Sequence, residues 1–307
     1  MQDRNWEIVG APFGFGTSHA GTEKAPVAIR DAGLARIVES LRSSGIGVAD
    51  GGDVEPEASR GSERMPNGLD DMTAYAPALT GRLDASLGTG KVPVVLGGDH
   101  SISIPSVSAV INALRQRSDS GASVGLLWVD AHPDLETPGP DSTNDLNAMP
   151  IAHLLGLQVG NLRDLPELAP KVHPEHLVYI GIRDVVDEER ETIHRMGIRG
   201  YTMTDIERLG IVGVCAEAFS YLTERTDALV LSLDIDALDP AAAPGVDYPE
   251  PGGLTVREAM VVMEFAHRSE KLALVELVEV NPTKDPEGRT SKTAARLLRR
   301  LMTGPVV

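Results

Sequence analysis

Three apolar segments of the sequence run directly into acidic residues and histidines, which are side chains that bind metals and move protons. These positions are Asp99 and His100 in VVLGGDHS, Asp130, His132 and Asp134 in LLWVDAHPD, and Asp234, Asp236 and Asp239 in LVLSLDIDALDP. Alternate residues of a strand share one face, so Asp130 and His132 should point the same way, as should Asp234 and Asp236. Asp134 joins the first pair if its strand continues. Each cluster therefore places metal-binding side chains at the end of an apolar strand.

Carboxylates crowded at the end of a buried sheet repel one another and are poorly hydrated, so a cation is the simplest compensation. Two imidazoles and four carboxylates without a thiolate suit Mn²⁺ or a similar ion. Six ligands exceed what one ion takes from a protein, which predicts two ions bridged by shared carboxylates. Such pairs activate water near neutral pH, so hydrolysis is the predicted reaction class. Asp99 and Asp239 are better interpreted as capping or supporting residues, because an Asp after a strand often begins a turn.

The three clusters need elements that bring distant segments to one place, and the apolar runs supply them. Val-, Leu- and Ile-rich runs predict strands at 7–12, 45–49, 92–97, 124–130, 177–182, 200–202, 228–236 and 272–280. Helical periodicity predicts helices at 25–41, 69–87, 103–117, 214–226, 256–268 and 290–302. This alternation predicts a three-layer α/β/α fold around a mostly parallel eight-stranded sheet, with ligands at the carboxyl ends of the strands. No linker or repeat interrupts the chain, so residues 1–307 are expected to form a single domain.

The composition is that of an ordinary globular protein, with 42% hydrophobic and 24% charged residues. The 45 acidic and 28 basic residues give a formal net charge of −17, which argues against a nucleic-acid partner and favours a cationic ligand. The single cysteine, Cys215, excludes an internal disulfide and favours a reducing cytoplasm. The amino terminus lacks a signal-peptide pattern, and no apolar run is long enough to span a bilayer. We therefore expect a cytoplasmic protein without a membrane partner.

The motifs GGDHS, DAHPD and SLDIDALDP, in this order, resemble the metal-binding signatures of the ureohydrolase (arginase/agmatinase) family. The match extends along nearly the whole chain, through GTEKAPVAIRDAGL near the amino terminus and then VYIGIRD, GGLTVREA and LVEVNP. The resemblance implies one three-layer domain of the arginase-like fold and a binuclear Mn²⁺ centre. It also implies hydrolysis of a guanidino or related C–N bond, with release of urea, by a homotrimer or homohexamer.

Carried over residue by residue, the resemblance implies a specific ligand set. One manganese would take His100, Asp130, Asp134 and Asp234, and the other His132, Asp130, Asp234 and Asp236, so that Asp130 and Asp234 bridge. Asp134 would help move a proton to the leaving amine. Glu279, in LVEVNP, matches the carboxylate that holds the guanidinium over the metals. The alternative for Glu279 is a buried strand carboxylate paired with an arginine.

The stretch from Glu136 to Pro150 departs from the arginase pattern. Asn147 takes the position of a loop histidine that serves as a proton shuttle in the family, and His153, on a helix expected after the loop, is an alternative shuttle. Glu136 and Asp145 take positions where arginases use asparagines, and Thr143 replaces a serine. In the family these positions bind the α-carboxylate of the substrate.

A second departure lies in RDVVDEER, where Val186 replaces an aspartate that serves the α-amino group, although Glu189 matches. The usual T-G-T-P segment here reads Val246-Asp247-Tyr248-Pro249. Two acids in a carboxylate-binding pocket should repel an α-carboxylate. We therefore expect a small cationic guanidino substrate with a neutral or amine-bearing tail, unless Glu136 and Asp145 point to solvent.

Two other functions remain open from the sequence. One is a formimino-type amidohydrolase of the same fold, against which Glu279 argues because its carboxylate suits a cationic guanidinium. The other is a catalytically weak, metal-containing protein that binds a guanidino or polyamine ligand, which Asn147 favours because asparagine carries no proton.

Overall fold

A parallel sheet forms the centre of the structure, which is a computed structural model describing residues 4–56, 68–117, 123–139, 142, 144–157, 160 and 172–305. The strands are β1 (Trp6–Ala11), β2 (Val48–Asp53), β3 (Val92–Gly97), β4 (Val124–Val129), β5 (Leu177–Ile180), β6 (Arg199–Tyr201), β7 (Ala228–Asp234) and β8 (Leu272–Val278). They lie in the order β2-β1-β3-β8-β7-β4-β5-β6. Every paired neighbour runs parallel, so the described sheet is wholly rather than mostly parallel.

Helices cover both faces of the sheet. They are α1 (Ala25–Ile29), α2 (Ala35–Ser43), α3 (Leu69–Gly88), α4 (Ser103–Arg115), α5 (Pro150–Leu154), α6 (Asp187–Met196), α7 (Met203–Arg225), α8 (Val256–Arg268) and α9 (Arg289–Thr303). One apolar core lies between the sheet and α1, α2, α7, α8 and α9. The other core lies on the opposite face, against α3, α4 and α5. The three-layer α/β/α prediction is confirmed.

The central strands supply both cores because their side chains alternate between the two faces. In β4, Leu127 and Val129 enter the first core, whereas Leu126 and Trp128 enter the second. All six residues of this strand are buried. A continuous apolar run is what a strand covered on both faces requires, which is why these strands were predicted from composition.

The weakest strand prediction was the edge strand β2. It spans Val48–Asp53 rather than 45–49, and only Val48 in it is buried. An edge strand half open to water carries little apolar signal, so the sequence placed it too early.

Two helices also differ from expectation. Helix α7 begins at Met203 instead of 214, after a capping box in which Thr202 and Asp205 satisfy each other's backbone amides, and it passes a non-helical Gly210. Helix α6 was not predicted, because its ten residues, DEERETIHRM, are mostly polar and only Glu189 is buried.

Four neighbouring strands, β3, β8, β7 and β4, form the middle of the sheet. The three metal-binding motifs and LVEVNP follow these four strands in the chain. Parallel strands end at the same edge, so non-local pairing brings all four segments together. All named strands lie in this one sheet, while the single-domain assignment of residues 1–307 stays a prediction.

No helix in the described ranges is both long and apolar enough to cross a membrane.

Candidate metal centre and substrate cavity

The loop after β3 carries His100. Its glycines allow its backbone to pack directly against a second backbone segment, which fixes the path of the loop. A Cβ on Gly98 would lie 1.7 Å from the carbonyl oxygen of Phe13, so only glycine fits there. Asp99 caps the following turn by accepting hydrogen bonds from the amides of Gly16 (2.7 Å) and Ser101 (3.0 Å). Asp99 therefore supports the loop.

The loop after β4 brings Asp130, His132 and Asp134 together, but not by strand alternation. The strand ends at Val129, and Asp134 adopts a left-handed backbone with φ of 50°. A non-glycine residue in this region costs about 1–3 kcal/mol and is concentrated at functional sites. The strand does not continue to Asp134, so the condition for Asp134 to share a strand face with Asp130 is not met, and a turn brings it to His100 instead.

The end of β7 is similar. The strand ends at Asp234, and Asp236 lies in the short 3₁₀ turn Ile235–Ala237. Asp234 caps this turn by accepting the amide of Asp236 at 2.8 Å. Asp239 accepts the amides of Ala241 and Gly252, both at 2.9 Å, and so stabilises the next turn.

The first group of candidate ligands surrounds His100. Its Nδ1 lies 3.1 Å from Asp130 Oδ2, 2.9 Å from Asp134 Oδ2 and 3.1 Å from Asp234 Oδ2. All four side chains are buried. In the described part of the chain, His100 Nδ1 and Asp130 Oδ2 have no hydrogen-bond partner. Buried lone pairs that converge without hydrogen bonding are what a metal site requires.

The second group surrounds His132, which was predicted to bind the other ion. Its Nδ1 lies 3.5 Å from Asp130 Oδ1 and 3.1 Å from Asp236 Oδ2. Asp130 thus offers one oxygen to each group, which is the geometry expected of a bridging ligand. The ligand atoms of His100, Asp130 and Asp234 lie within 4.8 Å of one another, and so do those of Asp130, His132 and Asp236. The bridging role of Asp234 stays a prediction.

Electrostatics makes this cluster unstable without a cation. Burial raises the pKa of Asp134 to about 7, with help from the charge of Asp130. Burial and the charges of Asp236 and Asp130 raise the pKa of Asp234 well above its usual range. Burial alone would lower the pKa of His100, but the close carboxylates of Asp130, Asp134 and Asp234 raise it well above normal. A divalent cation would offset the cost of keeping these buried acids ionised, so the donor set fits bound metal ions.

Three residues that sequence reasoning missed contact the imidazoles. His100 Nε2 lies 2.7 Å from the hydroxyl of Ser232, and its ring stacks on Trp128 at 3.9 Å. His132 Nε2 lies 3.7 Å from Asp184 Oδ2. The contacts of His100 direct its Nδ1 toward the carboxylates, as is usual around metal-binding histidines. A serine inside the apolar run LVLSLD was the available signal for Ser232.

A cavity of about 260 Å³ opens above the cluster. Its lining comprises His132, Asp134, Asp234 and Asp236 together with Glu136, Asn147, Ala148, Asp184, Val186, Glu189, Tyr248 and Glu279. Seven of these twelve residues are carboxylates, and none of them is lysine or arginine. The cavity therefore suits a cation.

Glu279 presents an unsatisfied carboxylate oxygen to this cavity. Its Oε1 accepts hydrogen bonds from the amide of His100 (2.8 Å) and from Asn147 Nδ2 (3.1 Å). Its Oε2 is buried without a hydrogen-bond partner among the described residues. Within the same residues no arginine or lysine pairs with it, in contrast to Glu7 of β1, which lies 3.2 Å from Arg82 and 3.0 Å from Lys91.

The backbone at Glu279 is also unusual. It lies just after β8 with φ of 63°, and its amide donates to the carbonyl of Gly98 at 2.8 Å. Burial, reinforced by the charge of Asp99, raises the pKa of Glu279 well above its usual range. A buried, strained carboxylate with one unpaired oxygen is prepared to bind a cationic ligand.

The predicted tail-binding residues divide into two sets. Glu136 lines the cavity and accepts the hydroxyl of Ser142 at 2.7 Å. Asp145 accepts the amide of Ser18 at 2.9 Å and is not part of the lining. Thr143 lies outside the described residues.

Val186 and Glu189, from the segment of the second departure from the family pattern, also line the cavity. Glu189 accepts the amide of Leu135 at 3.0 Å, and burial raises its pKa to about 7. Tyr248, which was not among the predicted site residues, lines the cavity with 37% of its surface exposed, and its ring lies 5.2 Å from that of His19. His153 is fully buried on α5 and does not line the cavity, so the geometry does not support a shuttle there.

Comparison with known proteins gives a consistent result. The family model described as Arginase family matches residues 4–304. An arginase from Bacillus caldovelox is 36% identical over 295 residues, covering 95% of each chain. The native structure of arginase from that organism superposes with a TM-score of 0.87 at 35% identity, covering 99% of this chain and 100% of that one. A formimidoylglutamase from Bacillus subtilis shares the fold at a TM-score of 0.77 and 24% identity, covering 98% of this chain and 87% of the other.

Proposed function

The chain belongs to the arginase family of hydrolases, and from that premise we propose that it hydrolyses the C–N bond of a cationic guanidino compound and releases urea. The observation that carries the proposal is the buried, unpaired Oε2 of Glu279, a residue that lines the same cavity as ligands from the two candidate metal groups.

Two Mn²⁺ ions fit the site, because its donors are oxygen and imidazole nitrogen with no sulfur. His100, Asp130, Asp134 and Asp234 would hold one ion, and His132, Asp130, Asp234 and Asp236 the other. When bound, such a pair lowers the pKa of water and supplies the nucleophile of hydrolysis.

Glu279 binds and orients the guanidinium. A carboxylate pairs with a guanidinium through parallel, charge-assisted hydrogen bonds. Because the amide of His100 and the side chain of Asn147 hold Oε1, the free Oε2 keeps a fixed direction into the cavity. The planar guanidinium is thereby held over the ligand groups, and orientation of this kind supplies much of an enzyme's rate gain.

Asp134 is the residue placed to move a proton. It lines the cavity, and burial holds its pKa at about 7 in the metal-free protein. The carboxylate of Asp134 can accept a proton from the attacking water and pass it to the departing amine. Without this proton transfer the C–N bond would not break.

The carboxylate lining favours a neutral or amine-bearing tail. Glu136, Asp184 and Glu189 surround the mouth, and the lining offers no cation to an α-carboxylate. Val186 lies where the resemblance implies an aspartate for an α-amino group. The proposed substrate is therefore an amine-bearing guanidino compound such as agmatine in preference to L-arginine.

A urea-release assay with the Mn²⁺-loaded protein tests this function. The substrates are arginine, agmatine, guanidinobutyrate, guanidinopropionate and hydroxyarginine, with N-formiminoglutamate as the competing class. We expect urea from at least one guanidino compound and no formamide from the formimino compound. Formamide release alone would assign the chain to the formimino hydrolases and overturn the proposal.

Asn147 favours a second candidate, a catalytically weak protein that binds guanidino or polyamine ligands. Asn147 is buried, lines the cavity and donates to Glu279, but asparagine cannot carry a proton. Saturable binding of agmatine without urea release would support this alternative. A homotrimeric or homohexameric assembly, which the family resemblance implies, and a cytoplasmic location, which the single cysteine favours, remain proposals.

Replacing Asn147 by histidine should raise kcat. Histidine exchanges protons near neutral pH, and general acid–base help contributes about 10²–10⁴-fold where it is used. Because the new ring also gives up the amide contact to Glu279, we expect the lower part of that range, about tenfold to a hundredfold, with a smaller change in KM. Steady-state urea release on the best substrate measures it.

The control for this variant is Asn147→Gln, which keeps an amide but moves no proton and should not raise kcat. If Asn147→His lowers kcat as the glutamine does, the proton leaves by another route and the assigned role of this position is wrong.

Replacing Glu136 and Asp145 together by asparagine should shift preference toward arginine. Removing a repulsive charge at a partly exposed rim is worth about 1 kcal/mol, or roughly tenfold in kcat/KM, after discounting for solvent. Since only Glu136 lines the cavity, Glu136→Asn alone should give most of the change. The ratio of kcat/KM for arginine to that for agmatine measures the effect.

Glu224→Gln, an exposed charge change on α7, is the matched control and should leave this ratio unaltered. A wild-type preference for arginine that the double variant does not change would place this chain with the ordinary arginases.

A further inference from the structure

A larger cavity lies away from the metal ligands, in the helical layer between α2 and α9. It has a volume of about 450 Å³. Its cationic wall is formed by Arg36, Lys292, Arg296 and Arg299, and its apolar floor by Ile37, Leu41 and Ala295. We call it the basic groove. This volume lies within the range of small-molecule sites.

The arginines of the basic groove have no internal partners. Within the described ranges, Arg36, Arg296 and Arg299 take part in no salt bridge or side-chain hydrogen bond, although the chain contains 45 acidic residues. Other arginines do find carboxylates, as Arg30 does with Asp50 at 2.8 Å. Although acidic residues outnumber basic ones in this protein, these three arginines have no anionic partner among the described residues.

Helix α9 places like charges close together on one face, which lowers its stability. Its sequence, RTSKTAARLLRRLMT, contains five basic residues and no acidic residue. Lys292 and Arg296 are four residues apart, and Arg296 and Arg299 three apart, so like charges are neighbours on one helix face and destabilise it. Asp285, which precedes the helix, is occupied by the amides of Thr290 (2.8 Å) and Ser291 (2.9 Å). An anionic ligand would relieve this repulsion.

The groove also has apolar residues and open space beside its cationic wall, so it can take a ligand with an apolar part as well as an anionic part. Leu41 is 5% and Ala295 2% exposed, and Ile37 is half-buried. Gly33 lines the groove in a backbone with φ of 128°, and a Cβ added there would meet no atom nearer than Arg36 Nη2 at 4.0 Å. The groove therefore combines cationic side chains with an apolar floor to which Ile37 contributes the most exposed residue.

No other described cavity has this charge distribution. The cavity of about 560 Å³ between α7 and α8 is lined by Glu224 and Glu270 as well as by Arg268 and Lys271, so its charges balance. The cavity of about 550 Å³ at α6 is lined by Arg183 and Arg190, but Arg183 already donates to carbonyls, including that of Glu250 at 2.7 Å, and Arg190 pairs with Asp187.

We propose that the basic groove binds a nucleoside polyphosphate, with its phosphates on Arg36, Lys292, Arg296 and Arg299. Arginine forks match phosphate oxygens, and three guanidinium groups with one ammonium balance the charge of a triphosphate. The base lies on Ile37, Leu41 and Ala295. This site is independent of the hydrolytic function proposed above.

The test is fluorescence titration of the full-length Mn²⁺-loaded protein with N-methylanthraniloyl-ATP at low ionic strength. We expect saturable binding that weakens as salt is added, because ionic contacts are screened. Unlabelled ATP should displace the probe. Tripolyphosphate should do so about tenfold more weakly, since it lacks the base that covers apolar surface, and adenosine and inorganic phosphate more weakly still.

Arg296→Ala with Arg299→Ala should weaken probe binding about a hundredfold, taking about tenfold for each lost charge-assisted contact. The charge-matched control is Arg190→Ala with Arg208→Ala, two exposed arginines paired with Asp187 and Asp205, and it should bind as the wild type does. Ile37→Ala should weaken ATP but not tripolyphosphate.

Three results would overturn the proposal. The first is probe binding that survives the groove double variant, which would mean chelation at the metal centre or non-specific attraction. The second is displacement by tripolyphosphate as strong as by ATP. The third is a changed sedimentation coefficient of the double variant, which would mean that the groove faces another copy of the chain.

Discussion

Asp234→Asn should bind fewer than one equivalent of Mn²⁺ per chain, where the wild type binds close to two, and should lose kcat/KM by about a thousandfold or more. Asp234 Oδ2 lies 3.1 Å from His100 Nδ1, among buried ligands, and is proposed to contact both ions. An amide keeps the shape but supplies no negative charge. Metal ions stabilise several kcal/mol of developing charge in the transition state, and each 1.36 kcal/mol is tenfold in rate.

Metal analysis after reconstitution and dialysis measures the first effect, and urea release the second. Asp239→Asn is the matched control, because that carboxylate follows the same strand but only accepts the amides of Ala241 and Gly252. It should keep both metal and activity. A wild-type protein that holds a single ion, with His132 and Asp236 dispensable, would defeat the binuclear assignment.

Glu279→Gln should keep its metal but lose kcat/KM by about a hundredfold or more. The amide of His100 and Asn147 Nδ2 both donate to Oε1, so a glutamine must place its carbonyl oxygen there. Its NH₂ group then takes the place of Oε2. Both this group and the guanidinium are hydrogen-bond donors, so they cannot pair. A hydrogen bond to a charged group is worth about 1.5–3 kcal/mol, and opposed donors and lost orientation add to it.

Glu7→Gln is the control for a buried strand carboxylate. Burial opposes ionisation of Glu7, but its bonds to Arg82, Ser86 and Lys91 lower its pKa to about 2. This variant should lose stability and leave kcat/KM for urea release nearly unchanged. If Glu279→Gln behaves in the same way, Glu279 is a structural residue, and another group must anchor the substrate.

Much of the metal centre could be predicted because short segments of the sequence specify its donor atoms. The residue types in DAHPD and SLDIDALDP specify oxygen and nitrogen donors, and apolar runs before them specify buried strands. The family and the hydrolase class are confirmed by similarity along residues 4–304. The effect of Asn147 at the position of the family's proton shuttle and the roles of the tail residues stay predictions, because side-chain identity does not say where a loop carries a group.

The sequence by itself determined the α/β fold, the donor atoms of the candidate metal centre and the acidic character of the protein, since these follow from composition and short-range periodicity. The tertiary structure decided which side chains each carboxylate lies against. Left-handed backbone turns carry Asp134 and Glu279 into the cavity, and Ser232 supports His100 from another strand. Asp145 lies off the lining, against the amide of Ser18. These contacts join residues far apart in the chain, so they depend on the packed order of β3, β8, β7 and β4, which no local pattern encodes.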